Sequence, residues 1–589
     1  MDEDMNYLNP IFTEKRECQD CYKCVRNCPV KAIKVEGGYA SVVPELCIFC
    51  GYCVEVCPNG AKKVRDDLAN ARQLLERKPS VYVSLAPSYV TEFPGISGPQ
   101  MVAALKRLGF AGVSETALGA QQVSAQAAAL LKERPDRALA SSACPTVVAY
   151  LQKHRLNGAN LLTGLMSPLL THCQMMRQAL GAEIGIVFIG PCIAKKLEAA
   201  QHPELLDVVL TFEDLRRWLE QEKLALENLT PAASDAFVPE RAAEGAWYPV
   251  DGGMIAGMKS ACAVNDCSLM AFSGLGAIKK ALDGVEGIKL EHGLFLELLA
   301  CEGGCVNGPK VHRRGATVAK RQRVFQAAPP TTVSLPRLPQ VATPTSFLVA
   351  PPVGIVVPDS QVREALRSVG KSSAEDELNC GGCGYDSCRE FGIALINQKA
   401  ERSMCVTYMR QLAHKKANAL IQKMPSAVVI VNEALRVIEF NAAFVGMFAL
   451  AKPANAAAPT TIEGIALAEI MPFATLFHGV MKSGEDILDR DLRYQNTILH
   501  ATIFSIEKHC LVGGILQDIT KPAVRKEQVI RKAREVIQKQ LATTQQIAYL
   551  LGENAAEAEI TLNSIIDSFS PPKLDEPKEA NDWRKLYRR

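Results

Sequence analysis

Residues 18–29 read CQDCYKCVRNCP and residues 47–58 read CIFCGYCVEVCP, so both follow C-x2-C-x2-C-x3-C-P. The third close cysteine singles out an iron–sulfur cubane: three neighbouring thiolates take three corners, and the fourth cysteine of each run crosses to the other cluster. The expected sets are Cys18, Cys21, Cys24 and Cys57 for one cluster, and Cys47, Cys50, Cys53 and Cys28 for the other. Pro29 and Pro58 turn the chain away after each run, which lets the crossed cysteine reach its partner. A pair of zinc sites is the alternative, but zinc takes four ligands from two C-x2-C pairs and leaves the third close cysteine unused. The chemistry is electron transfer. Four further cysteines are scattered: Cys144 in SSACPTVV, Cys192 in GPCIAKK, and Cys301 and Cys305 in ELLACEGGCVNGP. Singly each reads as a small apolar filler. Together, beside Lys195, they supply enough thiolates for one more cubane.

The elements around the scattered cysteines read as α/β. Short apolar runs (residues 81–86, 137–143 and 184–190) alternate with helical stretches such as GPQMVAALKRLG and SAQAAALLKER. Parallel sheets built from such units present ligands at the carboxyl ends of their strands. The loops expected there are residues 86–88 (APS), 143–145 (ACP) and 190–196 (GPCIAKK). Gly303 and Gly304 in the fourth segment let backbone approach something bulky.

Residues 18–58 resemble the bacterial two-cluster ferredoxin. Residues 78–320 resemble the catalytic domain of FeFe hydrogenases: ACP, GPCIAKK and ELLACEGGCVNG stand in the order of that family's three signature loops, with VDVVLTFEDL and YPVDGGM between them. The resemblance implies that Cys144, Cys192, Cys301 and Cys305 hold the cubane of an H-cluster. Cys305 would bridge to a two-iron subsite carrying CO, cyanide and a dithiolate amine, where H2 is split into two electrons and two protons. Lys195 and the Ser88 region would donate hydrogen bonds to the cyanides. The chain departs from the family at a decisive place. Active members carry a proton-relaying cysteine just before the one matched by Cys144, and this chain has Ala143. A methyl group neither takes nor gives a proton, so the relay is cut unless water fills the gap. Gly190, Leu299 and Glu302 also replace family residues around the two-iron site, and slow turnover is expected.

Residues 323–358 are proline-rich and read as a linker. Then Cys380, Cys383, Cys388 and Cys405 follow C-x2-C-x4-C-x16-C, resembling small 4Fe-4S modules beside redox sensors, with zinc as the alternative. Residues 416–521, with NAAF, a helix N-cap at Asn441 and a closing DIT, resemble a PAS domain. His478, His500 and His509 read as surface or core histidines. Residues 522–589 are helical with a thin heptad seam (Ile530, Ile537, Thr544, Leu551, Ala558, Ile565 with Leu541, Ala548, Ala555, Leu562, Phe569), then a polar tail. A single amphipathic helix folded onto the PAS core is the alternative. No histidine follows His509, so this helix is not the phosphoacceptor of a histidine kinase. Cys173, Cys262, Cys267 and Cys510 read as ordinary thiols, Cys262 and Cys267 having a weaker claim as extra ligands.

The expected architecture is multidomain α/β: a ferredoxin-like domain with two 4Fe-4S clusters (1–77), an FeFe-hydrogenase domain with parallel sheets (78–322), the linker, a small helical 4Fe-4S module (359–415), a PAS α/β domain (416–521) and a C-terminal helix. Three 4Fe-4S clusters and an H-cluster follow. Sixty-six basic against 63 acidic side chains leave a net charge of +3, without the basic footprint of a nucleic-acid binder. No run of 18 apolar residues and no apolar leader occurs, so a cytoplasmic protein without nucleic-acid or membrane partners is expected. This order of parts resembles sensory FeFe hydrogenases of anaerobic bacteria. It implies slow, reversible H2 oxidation and proton reduction, exchange of electrons with a partner such as ferredoxin, a homodimer through the PAS domain or helix, and output to a kinase, phosphatase or regulator. The alternatives are an ordinary catalytic hydrogenase and an electron-transfer or assembly protein lacking the two-iron subsite.

Overall fold

The computed structural model describes residues 9–134, 136–261, 268–312, 315–328, 341, 343–347, 357–448, 462–495, 497–520 and 530–541. Two compact units divide the chain, Met1–Met409 and Arg410–Arg589.

The first unit opens with four short strands, β1 (Ile11–Thr13), β2 (Ile33–Glu36), β3 (Tyr39–Val42) and β4 (Lys62–Val64). They pair antiparallel, β1 with β4 and β2 with β3, and the one-turn helices Lys23–Arg26 and Tyr52–Glu55 each carry the third cysteine of a run, Cys24 and Cys53.

Two parallel sheets follow. β5 (Val81–Leu85), β6 (Gly112–Glu115), β8 (Gly185–Gly190) and β9 (Val208–Thr211) pair in the order β6-β5-β8-β9. β7 (Ala138–Ala140), β10 (Ser268–Ser273) and β11 (Leu294–Leu299) pair in the order β10-β11-β7. β6, β8, β9 and β11 are buried along their whole length, as expected of parallel strands covered on both faces. The strand expected over 137–143 is cut to Ala138–Ala140, because the chain leaves the sheet to form the loop before Cys144. The helix expected from residue 124 starts at Ala117. Its first turns pack in the interior, where periodicity gives no sign of a start, and Gly119 lets it approach the helix Pro168–Leu180: a Cβ there would lie 2.8 Å from His172 Cβ.

The proline-rich stretch is not a free linker throughout. The helix Thr317–Ala327 runs into its expected start. Farther on, Met166 N–H donates to the Thr343 carbonyl at 2.8 Å, Thr345 N–H donates to Gly164 O at 2.8 Å, and Val341 and Thr343 are buried. The extended backbone that proline favours thus pairs with residues 164–166.

The small cysteine module packs on the ferredoxin-like segment. Lys31 Nζ donates to Gly384 O at 2.7 Å, Gly37 N–H donates to Glu401 at 2.7 Å, and Val35 N–H donates to Lys399 O at 2.9 Å. Gly384 sits at φ +96°, and a Cβ there would lie 2.8 Å from Val25.

The second unit contains a five-stranded antiparallel sheet, β12 (Ala427–Asn432), β13 (Val437–Phe440), β14 (Ile487–Tyr494), β15 (Thr497–Glu507) and β16 (Leu511–Asp518), ordered β13-β12-β16-β15-β14. Asn441 caps the helix Ala442–Met447 by accepting from Phe444 N–H at 3.0 Å, and its amide also donates to the carbonyls of Ile421, Met424 and Ser426. Thr520 of DIT accepts from Ile498 N–H at 2.9 Å and ties the end of β16 to the start of β15. Residues 530–541 are helical. The rest of the heptad seam, like Cys262 and Cys267, lies outside the described residues.

Candidate functional site: a four-thiol cavity at the strand ends

β5, β7, β8 and β11 all end toward one cavity. Its wall includes Cys144, Cys192, Cys301 and Cys305, with Ala143, Ser88 and Lys195 beside them. The four scattered cysteines are therefore brought together. Burial raises the Cys192 thiol to about 11, with the charge of Cys144 adding to it. Cys301 and Cys305 are pushed higher still by burial, then by charge on the other cavity cysteines. Buried thiols that raise one another in this way ionise only against a compensating cation, which an iron cage supplies. Among the described residues, no three His, Cys, Asp or Glu side chains gather tightly enough for a single metal ion. A cubane asks instead for sulfurs spread around a cage. The Ser88 hydroxyl is buried in this wall without a protein partner, a second sign that the cavity is shaped for an occupant with acceptor atoms. The residues thus fit an H-cluster.

Two carboxylates escaped the sequence reading. Lys195 Nζ forms an ion pair with Glu198 at 2.6 Å and donates to Ser167 Oγ at 2.9 Å. An ammonium has three donors, so one remains for the cavity. The i,i+3 spacing of Lys195 and Glu198 was the available signal. Glu297, buried on β11, accepts from the N–H groups of Gly252 and Ile255 at 3.1 and 3.0 Å, and so holds the YPVDGGM loop against the strand that leads to Cys301. Burial lifts its carboxyl from 4.5 to about 7 against those hydrogen bonds. The folded protein therefore keeps a proton that the unfolded chain has released between those values. Folding stability contributed by this group is greatest below 4.5, falls as pH rises through the window and is level above it. Glu297→Gln is expected to remove that slope in denaturant melts on either side of the window.

The two cysteine runs lie close together. Burial raises the Cys47, Cys50 and Cys53 thiols, with charge on Cys28 adding to it, and burial followed by charge on Cys18 and Cys21 acts likewise on Cys24. Cys57 is partly exposed, at the start of the Pro58 turn. In the small module, burial raises Cys383, with charge on Cys405 and Cys380 adding to it, and Cys388 is buried at the start of the helix Cys388–Ile396. These groups form a continuous series. Charge on Cys50 acts on Cys301, and the Tyr52 hydroxyl donates to Ala300 O at 3.4 Å. At the other side, charges on Cys383 and Cys28 both act on Tyr385. Cys173 is fully buried and Cys510 lies at the β15–β16 turn, both apart from these sets. His500 bonds Asp491 and Asp489, and His509 bonds Met481 O.

Known proteins are similar to this chain over three of its segments. Residues 79–309 match the family described as iron-only hydrogenase large subunit, C-terminal domain; residues 10–58 match a 4Fe-4S dicluster domain, and residues 376–407 match an Fe-S cluster family. The chain therefore carries an iron-only hydrogenase large-subunit domain with a ferredoxin-like iron–sulfur domain ahead of it, and is a homologue of the FeFe hydrogenases. The NADP-reducing hydrogenase subunit HndD of Solidesulfovibrio fructosivorans is 25% identical over 385 residues, which make up 53% of this chain and 66% of that one. A ferredoxin of Methanothermococcus thermolithotrophicus is 35% identical over 57 residues, 10% of this chain and 95% of that one. A variant of HydA1, the FeFe hydrogenase of Chlamydomonas reinhardtii, superposes with a TM-score of 0.38 at 17% identity, covering 49% of this chain and all of that one. The chain spans just under two thirds of the length of HndD. No helix among the described residues is long and apolar enough to cross a membrane.

Proposed function

We propose that this protein senses H2 or redox state through an H-cluster that turns over slowly and reversibly. Cys144, Cys192, Cys301 and Cys305 would hold the cubane, with Cys305 also serving the two-iron subsite, and Lys195 and Ser88 would donate to its anionic ligands. When bound, the group supplies reversible cleavage of H2 into electrons and protons. Three 4Fe-4S clusters, which would supply electron transfer, would be held by Cys18, Cys21, Cys24 and Cys57; by Cys47, Cys50, Cys53 and Cys28; and by Cys380, Cys383, Cys388 and Cys405. The second of these is the junction, supported by the reach of Cys50 to Cys301 and of Tyr385 to both Cys28 and Cys383. The domain boundaries expected from the sequence go with this reading. So does a PAS identity for the second unit, supported by the Asn441 cap and the Thr520 tie to Ile498. Its output is a kinase, phosphatase or regulator reached through the C-terminal helix.

The observation that carries the sensing role is Ala143 on the cavity wall, a methyl group beside four converging thiols. A site that delivers protons poorly reports its ligand better than it consumes it. Infrared bands of metal-bound CO and cyanide after anaerobic maturation are expected, with turnover far below that of working hydrogenases. Absent bands leave an electron-transfer or assembly protein, and fast turnover leaves an ordinary hydrogenase.

A further inference from the structure

Ala143 cuts one path for protons, but the cavity wall contains the end of another. Thr116, at the carboxyl end of β6, lines the cavity. Its Oγ1 lies 2.7 Å from Ser84 Oγ of β5, and Ser84 Oγ lies 2.8 Å from His172 Nδ1 on the helix Pro168–Leu180. The far ring nitrogen, His172 Nε2, lies 2.8 Å from Ser114 Oγ of β6. Ser114 and His172 then line a second cavity, whose wall also includes Met175 and the exposed Gln178 and Ala179. Four side chains that each both donate and accept thus run unbroken from the four-thiol cavity to one with exposed residues in its wall. The other hydroxyls beside Ala143 do not extend this way: Ser141 donates to Met254 Sδ, and Ser142 donates to the Leu165 carbonyl and lies 2.9 Å from Thr163 Oγ1, which is itself buried.

We infer that Thr116, Ser84, His172 and Ser114 form a proton wire serving the four-thiol cavity in place of the relay lost at Ala143. The role in H2 chemistry rests on the function proposed above; the wire itself rests on the hydrogen-bond geometry. For each proton leaving, Thr116 Oγ1 takes one from the cavity and passes its own to Ser84, Ser84 passes its own to His172 Nδ1, and the ring releases the proton on Nε2 to Ser114. Ser114 releases one into the outer cavity. Charge and atoms balance, and rotation of the hydroxyls with exchange of the imidazole tautomer resets the chain. Burial favours the neutral ring, which has one donor and one acceptor nitrogen as a relay requires. The reset makes such a wire slower than a single thiol placed at the reacting group.

The test uses the full-length protein with its iron–sulfur clusters and 15N-labelled histidine, with His172 assigned by the signal lost in His172→Gln. Fast exchange of its ring N–H with solvent is expected, and Ser114→Ala should abolish it. Exchange as slow as that of core amides overturns the wire, whether or not the two-iron subsite is present. In protein whose infrared spectrum shows bound CO and cyanide, the near-isosteric Thr116→Val should lose turnover with its bands unshifted, and undiminished turnover also overturns it. Missing bands would instead refute the proposed function, and the exchange result would still decide the wire.

Discussion

Ala143→Cys is expected to raise H2 turnover of the matured protein by about 10²–10⁴-fold, the usual contribution of a well-placed general acid–base group. Ala143 is almost fully buried, directly precedes Cys144 and has its own N–H fixed on Ser141 Oγ at 3.2 Å, so the added sulfur starts from a rigid backbone. Its thiol would sit among groups whose proton affinity is already raised by burial. It would therefore stay protonated and act by passing its proton onward. H2 evolution with a reduced dye or ferredoxin measures the effect, and infrared bands of equal strength in both proteins ensure that occupancy is compared like for like. An unchanged rate at equal occupancy would mean that proton delivery does not limit turnover, and the sensing role would lose its physical basis. Ala143→Ser separates two causes: a hydroxyl can relay but carries no soft sulfur, so a rise with serine as well assigns the gain to proton transfer.

The sequence spoke most clearly where chemistry is written in short spacings. The two C-x2-C-x2-C-x3-C-P runs and the C-x2-C-x4-C triplet of the small module need only a turn to bring their thiols together, so local sequence contains most of the geometry. The four lone cysteines were legible for a different reason: Cys144, Cys192 and Cys301 each follow an apolar run, Cys305 lies four residues beyond Cys301, and parallel strands gather their carboxyl ends. What stayed hidden depends on burial from several directions. Glu297 reads as an interruption in the run ELLA, yet it is 1% exposed and bonded to backbone more than forty residues earlier. His172 lies in an unremarkable helix, and its partners come from two separate strands with no spacing to announce them. The pairing of residues 164–166 with the proline-rich stretch was likewise hidden, because extended backbone favoured by proline looks the same in sequence whether solvated or docked.

Lys196→Met is expected to destabilise the first unit by about 3–5 kcal/mol, the usual cost of removing one partner from a buried ion pair. The motif GPCIAKK draws attention to its first lysine; the second is the fully buried one. Lys196 Nζ lies 2.9 Å from Asp67, 3.4 Å from Asp214 and 2.9 Å from the Val209 carbonyl. Without it, two buried carboxylates face a side chain with no donor. Arg65 on Asp67 and Arg217 on Asp214, each at 2.9 Å, relieve part of the penalty but lie at the rim. The position matters because three parts meet there: Asp67 follows the ferredoxin-like strand β4, Asp214 begins the helix after β9, and Lys196 lies four residues beyond Cys192. Loss of the ammonium therefore loosens the loop bearing one cavity thiol together with the junction to the ferredoxin-like segment. The denaturant midpoint of the iron-loaded protein should fall, and iron should leave at lower denaturant than in the parent. Adding Asp67→Asn and Asp214→Asn should return most of the lost stability, because neutral amides need no cation. A midpoint that stays put in the single variant would show that water or the two arginines already neutralise the carboxylates, and that Lys196 is not the staple its burial implies.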